Sequence, residues 1–256
     1  MPSVLTASDF DIKSVTFGKH KPNVNGGYNI DLSVGDSTDE TVIQTPKMRA
    51  PFGIGTDKTN PFKKSIDISF SGEDIVYKDK SGNQTKNPIK ALRDVISEMD
   101  NLAIDYALKN CKTFFKKELT REVLSEYYSS SIKVSKKEDY ADTFRFKLQY
   151  LKPNPEKNLD GRYLTTFWDN KGAEKNFAHF DKGDSINALI KPTQLWVANK
   201  QFGIQWICTQ VRVHKQQKSN AYAFKRTDDD EEAVIKEDSE EEIEVEVTDE
   251  EVETDN

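Results

Sequence analysis

The chain has 256 residues, with 37 Lys and Arg against 44 Asp and Glu, 35% apolar and 32% charged residues. No apolar run approaches the roughly 18 residues of a membrane span. The opening MPSVLTASDFDIKS lacks the basic and apolar regions of a secretory signal, and two distant cysteines, Cys111 and Cys208, read as free thiols in a reducing compartment.

Charge is placed unevenly. From Asp228 to Asn256 there are seventeen Asp or Glu against Lys236 alone, about −16. Residues 1–227 keep 36 basic and 27 acidic residues, a net of +9, and all the aromatics. A basic body of folding composition thus precedes a disordered acidic tail at 228–256.

In chain order, residues 1–11 read as a loose leader. Ile12, Val15 and Phe17 begin a strand, and GKHKPNVNGG is a turn region broken by Pro22 and Gly26-Gly27. Tyr28, Ile30, Leu32 and Val34 alternate with polar residues, the period of a half-buried strand. Thr41–Thr45 is a short strand. The block from Gln44 to Lys64 interleaves Lys47, Arg49, Lys58, Lys63 and Lys64 with Met48, Phe52 and Phe62, and its glycines suggest mobility. Strands follow at Ile66–Phe70 and Ile75–Tyr77.

Asn87-Pro88 starts a helix, a capping residue followed by Pro at the first helical position. Ile89, Leu92, Ile96, Met99, Ala103 and Tyr106 form its apolar stripe, and the pattern continues to about Phe115. Thr120 caps a second helix running to about Tyr128. Strands then resume at Phe144–Tyr150, Arg162–Trp168 and Ser185–Lys191, and Leu195–Ala198 pairs with Phe202–Val213 around Asn199-Lys200. Strands, a helical pair and strands again indicate a mostly β domain over 1–227: an OB-fold-like β-barrel with a helical insertion at about 87–130.

Catalytic signatures are weak. His20, His179 and His214 are scattered without metal-ligand spacing, and there is no GxSxG, Walker loop or GxGxxG. The expectation is a non-enzyme without metal or cofactor; a nuclease is the form an enzyme would take. Basic residues interleaved with aromatics are the positive signal, since single strands offer a charged backbone and open base faces. The candidates are Lys47, Arg49, Phe52, Lys63 and Lys64, then Arg145 and Lys147, then Arg162, Tyr163 and Trp168. Arg145 and Lys147 read equally as the solvated face of a strand. Phe144 and Phe146 read as core, and Trp196 and Trp206 as core before stacking platforms. In the tail, high effective concentration beside a basic groove would let the polyanion compete with DNA.

The segment PTQLWVANKQFGIQWICTQVRV, Pro192 to Val213, with its Trp196, Gly203 and Trp206, resembles the terminal hairpin of the OB-fold single-stranded DNA-binding proteins of nucleo-cytoplasmic large DNA viruses. QTPKMRAPFGI, Gln44 to Ile54, resembles the same family. That resemblance implies a sequence-tolerant coat on single-stranded DNA in viral replication, repair or recombination, in the host cytoplasm (the viral factory) or nucleus. The design is similar to acidic-tailed phage and bacterial proteins whose tails recruit replication proteins such as DNA polymerase. Those tails usually end in an aromatic, whereas no aromatic follows Phe224 here. Related designs often form a homodimer, for which the sequence shows no interface. Two other readings stay open: an RNA-binding regulator, and a virion or assembly factor whose tail binds basic proteins.

Overall fold

Alternating residues become strands along most of the chain. In a computed structural model, described for residues 2–215 apart from 24–25, 36–39, 79–80, 155 and 157–158, the strands run as follows. They are β1 (Ser3–Thr6), β2 (Val15–Pro22), β3 (Tyr28–Val34), β4 (Thr41–Gln44), β5 (Met48–Arg49), β6 (Ile54–Thr56), β7 (Lys64–Ser69), β8 (Tyr77–Lys78) and β9 (Gln84–Thr85). Three helices follow, α1 (Pro88–Lys109), α2 (Cys111–Phe115) and α3 (Arg121–Tyr127). The second half holds β10 (Ile132–Lys133), β11 (Thr143–Leu148), β12 (Tyr150–Leu151), β13 (Arg162–Tyr163), β14 (Thr166–Asp169), β15 (Glu174–Lys175), β16 (Ser185–Ala198) and β17 (Gln201–His214). The acidic tail lies outside the described residues.

The spine is the β16–β17 hairpin, antiparallel from Ser185↔His214 to Ala198↔Gln201, with Asn199 taking the left-handed conformation at its turn. Separate strands at 185–191 and 195–198 were expected. They are one strand, because register shifts at Leu189/Ile190 and Pro192/Gln194 let it bend without breaking. Pro192, which lacks a ladder donor, is tolerated beside the second shift. From the spine the ladder runs β1-β4-β16-β17-β11-β7-β6, with β3 and β5 on β16 and β14 on β17. The fold is mostly β with one main helix, as the sequence indicates. Among the described residues the ladder stays open and does not close into a barrel.

Four local expectations change. The leader contains β1, which pairs in parallel with β4 from Ser3↔Thr41 to Thr6↔Gln44. The first half of the turn region at 18–27 is strand, since β2 continues to Pro22 opposite Tyr28. Strand 144–150 stops at Leu148, because the Gln149 amide donates to Thr165 Oγ1 and the chain leaves the sheet. Strand 162–168 is two strands, β13 and β14, parted where the Thr165 hydroxyl donates to the Cys208 carbonyl.

The helical insertion starts as read. The Asn87 side chain accepts from the amides of Ile89 and Lys90, and its own amide donates to the carbonyls of Gly72, Glu73 and Ile75. The apolar stripe of α1 is buried, from Ile89 through Ala107. A carboxylate sits on it: Asp100 accepts from the Tyr128 and Ser131 hydroxyls (2.7 Å each), the Ser130 hydroxyl and the Ser131 amide. Burial pushes the Asp100 carboxyl up, outweighing those four donors. Ser131 also takes the Trp206 indole N–H at 3.1 Å, so the link after α3 is tied to both helix and spine. Phe144, Phe146 and Trp206 are core, and Cys111 and Cys208 are buried free thiols.

Candidate nucleic-acid interface

One position in the register separates the two cations of β11. Arg145 faces Asp67 across the ladder, and its guanidinium makes two bonds to that carboxylate, at 2.8 and 2.9 Å. The pair raises the Arg145 pKa and commits its charge. Lys147 faces Ser65 on one side and Ile207 of β17 on the other. Its ammonium donates to Gln205 Oε1 at 2.9 Å, and no carboxylate pairs with it among the described residues. Lys147 is exposed along its length, yet enough protein surrounds its ammonium that burial, and then the like charge of Lys63, lower its pKa, with Asp57 pulling the other way.

Lys147 lies in the floor of a groove of about 690 Å³. Gln205, Ile207, Thr193 and Gln194 continue that floor, while Lys63, Lys64 and Lys152 stand on the walls. One wall is the turn at 57–63. The segment 46–64 was expected to be mobile, yet it is paired strand followed by a self-bonded turn. Asp57 accepts from the amides of Thr59 and Asn60 and from the Thr59 hydroxyl, and Asn60 accepts from the Phe62 amide. Those bonds hold the Asp57 carboxyl below its ordinary range, the Thr59 hydroxyl contributing most. The turn presents Phe62, 54% exposed, beside Lys63.

A further wall is a finger built on β12 and β13, which leaves the sheet where β17 exchanges its parallel neighbour β11 for β14. Tyr150 pairs with Tyr163 and Leu151 with Arg162 across it. Tyr150 stacks on Phe62 with ring centroids 5.0 Å apart and planes 14° from parallel. The Tyr163 hydroxyl donates to the Phe62 carbonyl at 3.0 Å, tying the finger to the turn beside that aromatic stack. Lys64, which donates to the Thr56 hydroxyl, also lines a second recess of about 390 Å³ with Phe52, Phe177, Phe180 and Lys182.

The structure therefore brings Lys63, Lys64 and Lys147 together in one groove, sets Tyr163 behind its Phe62 wall and places Phe52 in the adjoining recess. Arg162 is exposed on the finger, and Arg145 is held by Asp67. Arg49 is exposed on β5 opposite Ser185. Trp168 lines a different recess, of about 270 Å³, and Lys47 is near His214. Burial, then Lys47, then Arg212 lower the pKa of that histidine. Sequence reasoning passed over Phe62, Tyr150, Lys152, Gln194 and Gln205 as site residues. In sequence Tyr150 shares the period-two face of Phe144, Phe146 and Leu148, which hid its separate place on the finger.

Among the described residues no group of three or more His, Cys, Asp or Glu side chains is placed to hold a metal ion, and no helix is long and apolar enough to cross a membrane. No curated protein matches the chain by sequence. Among solved structures it is similar to gp2.5, a single-stranded DNA-binding protein of bacteriophage T7. That match has 12% identity and a TM-score of 0.43, covering 73% of this chain and 98% of that one. It is also similar to the single-stranded DNA-binding protein of bacteriophage Enc34. In its complex with single-stranded DNA the figures are 15% identity and a TM-score of 0.37, over 78% of this chain and 96% of that one. Without DNA they are 12% and 0.38, over 84% and 98%. Residues 73–226, more than half of the sequence, match a Family of unknown function (DUF5871), and the chain belongs to that family.

Proposed function

We propose that this chain binds single-stranded DNA, in sequence-tolerant fashion, along the groove between the 57–63 turn and the β12–β13 finger. The observation that carries this reading is the meeting of four lysines, Lys63, Lys64, Lys147 and Lys152, with the stacked pair Phe62 and Tyr150 in one open channel. The lysines answer the phosphate backbone and the rings answer unstacked bases, a combination that tolerates any sequence because every base has a π-face. Beside Lys147, the Gln, Thr and Ile residues of the floor supply hydrogen bonds and contact without fixing a sequence.

Within this reading the chain acts as a strand-coating protein in viral DNA replication, repair or recombination, in the cytoplasmic factory or nucleus of a host cell. The tail's charge of about −16 opposes the body's +9, which supports its competing with DNA and, when displaced, contacting replication proteins such as a polymerase. Homodimerisation belongs to the same proposal.

The test is titration of labelled oligo-dT with the full chain over a salt series. Four neutralised phosphates give a log–log slope of roughly −3, at about −0.7 each. Lys63→Ala with Lys64→Ala flattens it by roughly 1.4. A salt-independent affinity, or none, rejects the groove. Tighter binding of an RNA of equal length would reassign the site to RNA, whose 2′-hydroxyl is the discriminating group.

A further inference from the structure

The outer face of β17 does not end with the groove. Gln205 and Ile207 lie in the groove floor, and Gln210 and Arg212 line the separate recess of about 270 Å³, so the two hollows occupy successive stretches of one strand face. About 10 Å of strand separates Ile207 from Gln210. The register shift between Leu189 and Ile190 lets both ends of β17 present polar residues outward.

Two cross-strand rows build this recess. In the first, Gln44 of β4 faces Leu189 of β16, Leu189 faces Gln210 of β17, and Gln210 faces Thr166 of β14. In the second, two residues along, Asn187 faces Arg212, Arg212 faces Trp168, and Trp168 faces Glu174. Register partners project on the same side of a sheet, so these side chains rise together. Trp168 is half-buried, its indole N–H held by the Thr166 hydroxyl at 2.9 Å, which fixes the ring. Asn187 is occupied, bonded to the Thr45 carbonyl and to His214. The side-chain amides of Gln44 and Gln210 have no partner among the described residues, and both residues are exposed. Arg212 has no ion pair among the described residues and is exposed; Glu174 is the acid on that side.

A fixed indole, two uncommitted amides and a guanidinium in a hollow smaller than a drug-sized pocket suit one flat, polar-edged ring system carrying an anion. We infer that the recess takes a single unstacked nucleobase of the strand lying in the groove. The base stacks on Trp168, Gln44 and Gln210 bond its edge, and Arg212 meets the adjoining phosphate. The inference rests on the groove reading. It adds one position at which base identity matters, because a carboxamide pairs donor and acceptor with a base edge whereas a stacking platform does not.

The test uses the full chain with dT, dC and dA oligonucleotides of one length, and separately with adenosine monophosphate. Trp168→Ala is expected to weaken oligonucleotide binding roughly 5- to 150-fold, and Trp168→Phe to retain most of it. The double variant Gln44→Ala/Gln210→Ala is expected to level the affinities for the three oligonucleotides. In nuclear magnetic resonance the indole N–H signal that Trp168→Phe removes shifts in the wild-type chain on adding oligonucleotide. If these variants bind like the wild type while Lys63→Ala still weakens binding, the base pocket is overturned and the groove stands. If adenosine monophosphate moves that indole signal and oligonucleotides do not, the pocket serves free nucleotides and the strand-bound base is overturned. If the wild-type chain binds no oligonucleotide, both readings fall.

Discussion

The β16–β17 hairpin and the β12–β13 finger are both antiparallel pairs, and they are opposites in construction. Each strand of the hairpin has fourteen residues, one face sealed by Ile186, Ala188, Ile190, Leu195 and Val197 on one side and Phe202, Trp206, Cys208, Val211 and Val213 on the other. The finger has two paired residues per strand; its Tyr150 ring stacks on a neighbouring turn outside the core, and only Tyr163 packs against the core's edge, beside Phe177. Burial over a long ladder makes the hairpin rigid. Few buried contacts leave the finger at the low end of local stability, where binding elements are drawn from. Aromatic rings therefore serve stability in one place and, in the proposed reading, recognition in the other.

The widest separation between the two comes from deleting a ring in each. Trp206→Ala removes a buried indole that packs edge-on to Phe144 and bonds to Ser131. It is expected to cost about 3–5 kcal/mol in denaturant melts. Tyr150→Ala is expected to cost about 1 kcal/mol or less in the same melts, as surface changes do. Equal losses would mean that the finger is structural and would dissolve the contrast.

The Asp100 knot sharpens the rigid side. Asp100→Ala strands the Tyr128, Ser130 and Ser131 donors, at roughly 1–3 kcal/mol for a buried group left unpaired. Its carboxyl has a raised pKa in the fold, so folding favours the protonated form. That contribution is whole below the unfolded value near 3.9 and is lost as pH rises through the raised folded value. Melts of the wild type should therefore weaken over that window, and Asp100→Asn should remove this component. A component that strengthens with rising pH would show the four donors prevailing over burial.

Much of the rigid side was legible. Asn87-Pro88 announced the start of α1 because capping is local chemistry, and the period of β3 announced its buried face because Ile30 and Leu32 alternate with polar neighbours. The site was half legible for a physical reason. Arg145 and Lys147 are equivalent in sequence, two cations on the outer face of one strand. What parts them is a register decided 78 residues upstream, which sets Asp67 against the first and Ser65 against the second. The finger was illegible because two-residue strands have no period to read. Tyr150 continues the alternation of β11 in sequence while its backbone has already left the sheet.

On the recognition side, Phe62→Ala and Tyr150→Ala should each weaken oligo-dT binding roughly 5- to 150-fold, as loss of a stacking platform does. Because each ring is the other's partner, the double variant should lose less than the sum of the two single losses. Strict additivity would mean that the rings meet different bases.

The smallest effect is also the most specific to the groove. Burial and Lys63 lower the pKa of Lys147 in the free protein. A phosphate between the two ammoniums would favour the charged form and raise that pKa. Binding then takes up protons, so affinity should fall as pH rises through the lowered value of the free groove toward the higher value of the bound one. Lys147→Arg keeps the charge across this range, since a guanidinium does not titrate there. It should retain the salt dependence of the wild type while flattening the alkaline decline. Lys147→Gln should flatten both, losing about 0.7 from the salt slope. A decline that persists unchanged in Lys147→Arg would place the titrating group elsewhere and remove Lys147 from contact with the backbone. That outcome would return Lys147 to the solvated face it shares in sequence with Arg145.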